Sequence, residues 1–158
     1  MKIVKKLGVL LMVTCLSVAF VACGGPKVNT YEHKGVDITY EYPSEWSSTE
    51  DGYGVTVYDT KDKSEQHVNS SIKIQVENDI KWFETGKASR TDVKDLGSKT
   101  IGGVEMAGTS YKAYGLNTTQ YIGALDDNHI ICVQINTIDP ASEGAQQVFD
   151  SLNFELAK

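Results

Sequence analysis

The chain is poor in the residues that carry most metal and redox chemistry. Its 158 residues include only 3 Cys and 3 His, with 3 Pro and 2 Trp. So few cysteines exclude a disulfide-dense small scaffold, and no zinc-type Cys/His spacing occurs. Basic charge is also short: 15 Lys and Arg stand against 21 Asp and Glu, a net of −6. That balance argues against nucleic acid as a partner, because its phosphates demand a cationic surface. There is no glycine-rich phosphate loop, since Gly102-Gly103 leads into a strand pattern and not a helix. Internal repeats and low-complexity tracts are absent. What is present is a globular composition, 41% hydrophobic and 23% charged, at a length that suits one domain.

The one long apolar run lies at the start. Lys2, Lys5 and Lys6 precede an uncharged, mostly apolar stretch from Leu7 to Val21, shorter than the roughly 18–20 residues that span a bilayer. This is the layout of an export signal, expected over residues 1–22. Phe20-Val21-Ala22-Cys23-Gly24-Gly25 resembles the lipobox of bacterial lipoproteins, with Phe20 where those sequences usually carry Leu. The resemblance implies cleavage before Cys23 and a thioether-linked diacylglyceryl group on its thiol. It also implies a lipidated tether over 23–29, a domain over 30–158 and a place on the extracytoplasmic face of the cell envelope. Removing three lysines and no acid moves the net charge from −6 to −9. The domain should be repelled by an anionic membrane surface, so the lipid, not the protein surface, makes the membrane contact. Cys15 leaves with the signal, and Cys132 then stands alone in the apolar run Ile130-Ile131-Cys132-Val133, where a buried structural role is expected.

Beyond the tether, apolar residues recur with period two. Val36, Ile38, Tyr40 and Tyr42 alternate with Asp37, Thr39 and Glu41, and Lys34-Gly35 suits a hairpin turn back from Tyr31-Glu32-His33. Further strands are expected over Tyr53–Tyr58, Ile72–Val76, Val104–Tyr114, Thr119–Leu125 and Ile130–Thr137. The last is apolar on both faces and so is placed centrally. A short helix is expected after Asp79, stopped by Gly86. A clearer one follows Asp139, with Ala141, Ala145, Val148, Phe149 and Leu152 on one stripe. Phe154 and Leu156 suit a closing strand. Strands, a helix, a meander and a helix make an α+β domain with an antiparallel sheet.

Three segments, in order, resemble the superfamily of photosystem II protein P and the yeast Ran-binding protein Mog1, together with its bacterial lipoprotein relatives. They are Ile38-Thr39-Tyr40-Glu41-Tyr42-Pro43-Ser44-Glu45-Trp46, Thr100-Ile101-Gly102-Gly103-Val104, and Ala145 to Phe154 with its Ser151-Leu152-Asn153-Phe154 ending. The resemblance implies a PsbP/Mog1-like α/β/α sandwich, an antiparallel β-sheet flanked by helices, with a binding or assembly role and no shared catalytic constellation.

For chemistry, His33, His67 and His129 fall in no triad or elbow motif, so no enzyme activity is expected. All 8 tyrosines lie beyond Cys23, and Tyr53, Tyr58, Tyr111, Tyr114 and Tyr121 sit near strand ends or on mixed faces. Amphipathic rings so placed suit contact with a protein or envelope-component partner, although the same rings can serve as sheet packing. The loop carrying Asp59, Asp62, Glu65 and His67 offers hard oxygen ligands and one imidazole for a divalent cation. A solvated charge run is the alternative reading. Asp126, Asp127 and His129 form a second such cluster, with ordinary turn chemistry as its alternative. The expected function is a lipid-anchored binding domain without cofactor. A cation-binding accessory protein and an envelope hydrolase are the other classes considered.

Overall fold

Alternation of apolar and polar side chains gives each central strand one face that must leave water and one that need not. The architecture follows from that asymmetry. The structure is a computed structural model and describes residues 27–62, 64–67 and 69–158. The expected signal 1–22, Cys23 and residues 24–26 lie outside the described residues.

Chain order is β1 (Lys27–His33), β2 (Val36–Tyr42), β3 (Ser47–Asp51), β4 (Gly54–Tyr58), β5 (Ser71–Glu77), α1 (Lys81–Glu84), β6 (Thr91–Ile101), β7 (Val104–Ala113), β8 (Leu116–Ala124), β9 (Ile130–Asn136), α2 (Glu143–Ser151) and β10 (Asn153–Leu156). A single 3-10 turn, Lys87–Ser89, separates α1 from β6. The strands form two antiparallel sheets, one in the order β1-β2-β10 and the other in the order β3-β4-β5-β9-β8-β7-β6. β9 is the middle strand of the larger sheet, as its apolar character predicts.

The core lies between the two sheets. Val55 and Val57, Ile72, Ile74 and Val76, and Ile131, Val133 and Ile135 project from the large sheet onto Val36, Ile38, Tyr40 and Tyr42 of β2. Val148, Phe149 and Leu152 of the α2 end join them, and Tyr121 meets Phe149 edge-on with ring centroids 5.9 Å apart. Each such side chain contributes roughly 1.5–3 kcal/mol on burial. Hydrogen bonds fix the layers together: Ser151 Oγ accepts from the Glu41 amide at 2.7 Å, and Tyr40 Oη donates to Glu50 Oε1 at 2.8 Å.

Several expectations are corrected. β-Structure dominates, and the cover over the core is a three-stranded sheet with α2 beside it, so a sandwich with helical layers on both faces overstates the helices. β1 starts at Lys27, inside the stretch read as tether, because its residues pair with β2 from Lys27↔Tyr42 onward. β3 and β6 were not expected. Both are edge strands, and β6 is exposed along its length except at Ile101, so neither needs apolar alternation. α2 begins later than Asp139. That carboxylate instead accepts from the Ala141 amide in a turn, Ser142 caps the helix, and Ala141 is left exposed.

Gly54 shows how tightly β4 lies on β5. Its φ is +122°, and a Cβ there would overlap the carbonyl oxygen of Ile74. The substitution Gly54→Ala should therefore cost about 2 kcal/mol or more, read as a lowered midpoint in chemical denaturation. An unchanged midpoint would contradict this packing.

Candidate functional site

With the apolar face covered, the second face of the large sheet is available, and register determines what it shows. Reading across β4, β5, β9, β8 and β7, one row is Tyr58, Ser71, Asn136, Thr118 and Tyr111. The next is Thr56, Lys73, Gln134, Gln120 and Thr109. Hydroxyls and carboxamides thus occupy the middle of the face, and Tyr58 and Tyr111 stand at the two ends of one row.

The connection from β5 to β6 must cross three intervening strands, and it does so on this face. Asp79 Oδ1 accepts from the Lys81 amide at 2.9 Å at the start of α1, Phe83 is buried, and Gly86 takes φ +81° to end the turn. Arg90 Nη2 then donates to the Phe83 carbonyl at 2.8 Å, while its guanidinium carbon lies 4.2 Å from the Tyr111 ring centroid. This segment and the sheet enclose a cleft of about 520 Å³, within the roughly 300–1,000 Å³ common for small-molecule sites.

The floor is a polar network. Gln134 Nε2 donates to Asn136 Oδ1 at 3.0 Å, Thr118 Oγ1 donates to the same oxygen at 3.3 Å, and Gln120 Nε2 donates to Cys132 Sγ at 3.4 Å. Cys132 is fully buried, and burial pushes its thiol up to about 12, so it is a packing residue and not a nucleophile. The rim is aromatic: Trp82 is 65% and Tyr114 87% exposed. The charged side chains lining the cleft are Lys73, Arg90 and, at one edge, Asp51. Asp51 is occupied in its own turn, accepting from the Tyr53 amide at 2.8 Å. Among the described residues neither Lys73 nor Arg90 has a carboxylate within ion-pair distance. Lys73 Nζ instead sits 5.6 Å from the Tyr53 ring centroid.

The five tyrosines named from sequence therefore separate. Tyr58, Tyr111 and Tyr114 line the cleft, and Tyr53 stands beside it over Lys73. Tyr121 belongs to the opposite face, against Phe149. Sequence reasoning missed Lys73, Arg90, Trp82, Gln120 and Gln134. The single available signal was that the polar positions of β5, β8 and β9 alternate with core residues.

The acidic loop does not converge. Asp62 Oδ1 accepts from both the amide and the hydroxyl of Ser64, at 2.8 and 2.6 Å, and these bonds hold its carboxyl below the usual range. Asp59 Oδ2 accepts from Ser70 Oγ at 2.6 Å. Glu65 and His67 are exposed, and among the described residues no group of three or more His, Cys, Asp or Glu side chains is placed to hold a metal. Asp126 Oδ1 likewise closes its own turn, accepting from the Asn128 and His129 amides, each at 2.8 Å, with His129 Nδ1 at 2.7 Å.

A second groove of about 590 Å³ runs beside the β6 start. There Lys112 and Asp92 pair at 3.2 Å, so part of its charge is already satisfied internally.

His33 is only 5% exposed, its Nε2 has no hydrogen-bond partner among the described residues, and its ring stacks 6.1 Å from that of Tyr31. Burial first, then Lys34, depresses its pKa, against the opposing influence of Glu77 and Asp51. The folded value therefore lies below the unfolded 6.5, and as pH falls through that value the unfolded chain takes up the proton first. Stability from neutral His33 should be present above pH ~6.5 and decline below it. His33→Gln should flatten the dependence of melting temperature on pH between about 7 and 5; an identical slope in both proteins would contradict the assignment.

No family model matches the chain, and no curated protein matches it. Among solved structures it is similar to the solution structure of cyanobacterial PsbP (CyanoP) from Synechocystis sp. PCC 6803, at 11% identity over 87% of this chain and 98% of that one, with a TM-score of 0.44. It is also similar to a crystal structure from Bacteroides thetaiotaomicron VPI-5482, at 18% identity over 77% of this chain, with a TM-score of 0.43. The match spans 45% of that second protein. At such identities and scores neither likeness bears on what this protein does.

Proposed function

We propose that the protein is a lipid-anchored, extracytoplasmic binding module of PsbP/Mog1-like fold, non-catalytic, whose ligand site is the cleft on the open face of the large sheet. The observation that carries this reading is the pair Lys73 and Arg90, cations without carboxylate partners among the described residues, set among carboxamides beneath an aromatic rim. A solvated sheet face needs no such concentration. A protein of net −6 that gathers two unpaired cations on the wall and floor of a concave site has an anion-attracting point in an acidic surround.

The non-catalytic part rests on the sequence, in which His33, His67 and His129 fall in no triad or elbow motif. The anchor part rests on Cys23 and the segment before it.

Two measurements test the proposal. Changing Cys23 to Ser should shift the protein from the membrane pellet to the soluble or secreted fraction; retention in the pellet would sink the lipid anchor. Titrating the isotope-labelled full chain with solubilised envelope material should move the side-chain resonances of Gln120, Gln134, Arg90 and the Trp82 indole. Shifts confined to other surfaces would sink the cleft.

A further inference from the structure

The chemistry of the cleft defines a ligand class. Resting on the reading of the cleft as the binding site, we propose that it takes a carboxylated saccharide, a chain of hexuronate-type units, with one carboxylate at Arg90, another toward Lys73 across the floor, and a sugar ring against Trp82 or Tyr114.

Charge is the first argument. Arg90 spends one N–H on the Phe83 carbonyl, and its guanidinium carbon lies 4.2 Å from the Tyr111 ring centroid. The rest of its planar fork remains for a carboxylate, which it can grip in bidentate fashion, and the bond to Phe83 with the ring contact restricts the fork in advance. Lys73 supplies a second positive point, from β5 and not from the crossing segment. The ligand is thereby required to carry negative charge, and a neutral glycan leaves both cations unmatched.

The floor is the second argument. Gln75, Gln134 and Thr56 flank Lys73 on the same face, and Gln120 lies beyond Gln134. Carboxamides and hydroxyls both donate and accept, which suits a molecule dense in hydroxyl groups that do the same. Aromatic faces are the third. Trp82 and Tyr114 stand largely exposed at the rim with their rings uncovered, and a sugar ring presents a flat face of C–H groups that suits an electron-rich ring face.

An acidic peptide fits less well. Extended peptides gain affinity by adding a strand to a free sheet edge. Here β3 lies outside β4 on one side, and β7 and β6 lie outside β8 on the other, so the cleft sits over strands paired on both sides, away from the sheet's two edges at β3 and β6.

The test uses the purified full chain, with tryptophan fluorescence and calorimetry as readouts and trigalacturonate as probe. Saturable binding is expected, with neutral cellotriose at least about ten-fold weaker. Arg90→Gln and Lys73→Gln should each weaken trigalacturonate about ten-fold or more in a protein that still unfolds cooperatively, while Arg90→Lys retains part of the affinity. If Arg90→Gln fails to fold, salt decides: raising sodium chloride from about 50 to about 500 mM should weaken binding several-fold. The proposal is overturned by equal binding of cellotriose, by absence of saturable binding, by insensitivity to salt, or by oligoglutamate binding as tightly as trigalacturonate. If envelope material still moves the cleft resonances while trigalacturonate does not bind, the ligand class is wrong and the cleft reading stands.

Discussion

The structure depends on the one-sided burial of the strands at the centre of the large sheet. In β5 and β9 every second side chain is a fully or nearly fully buried Ile or Val, and the residues between them, apart from Ile130, are polar or small. A one-residue slip in register would exchange the two sets, placing Lys73 and Gln134 in the core and Ile74 and Val133 in water. That penalty ties the register of the whole sheet to the cover supplied by β2, β10 and α2.

The same constraint produces the cleft. Once β1 and β2, with α2 and β10 from the other end of the described chain, close over one face, little remains to cover the other except the short crossing between β5 and β6. That crossing is too small to seal the face. It builds a wall, through Phe83, Arg90 and the 3-10 turn, and leaves the rows centred on Gln134 and Asn136 open beside it. Functional side chains on paired strands are held more firmly than loop residues would be. The rim, with Trp82 on α1 and Tyr114 in the turn between β7 and β8, is the more adjustable part.

How much of this was legible in the sequence follows from which residues must be buried. The alternation in Val36–Tyr42 and Ile72–Val76, and the two-sided apolarity of Ile130–Val133, announced their strands because core burial writes itself into composition. β3 and β6 left no such trace, being polar edge strands whose backbones pair with one neighbour each. β6 even carries irregular register at Thr91/Lys94 and Asp95/Gly97, which blunts alternation further and guards an exposed edge. The site was mostly hidden for a related reason. Lys73, Gln120 and Gln134 come from three strands far apart in sequence, and only antiparallel register makes them neighbours. The tyrosines were visible as residue types, yet one residue's difference in parity sends Tyr121 to the core, whereas Tyr111 faces the cleft. Of the clustered acids visible in sequence, Asp59 and Asp62 are spent on hydrogen bonds within their own loop, and Glu65 stands exposed.

The central claim is that the two faces of the large sheet are functionally opposite: one specifies the fold, the other the ligand. A bulky residue placed in the floor of the cleft tests it most directly. Gln134→Trp puts an indole at the middle of the polar face, on a strand that accommodates aromatic residues well. The account predicts a melting temperature close to that of the parent protein together with loss of binding to solubilised envelope material. A protein that keeps its binding with the cleft filled would contradict it.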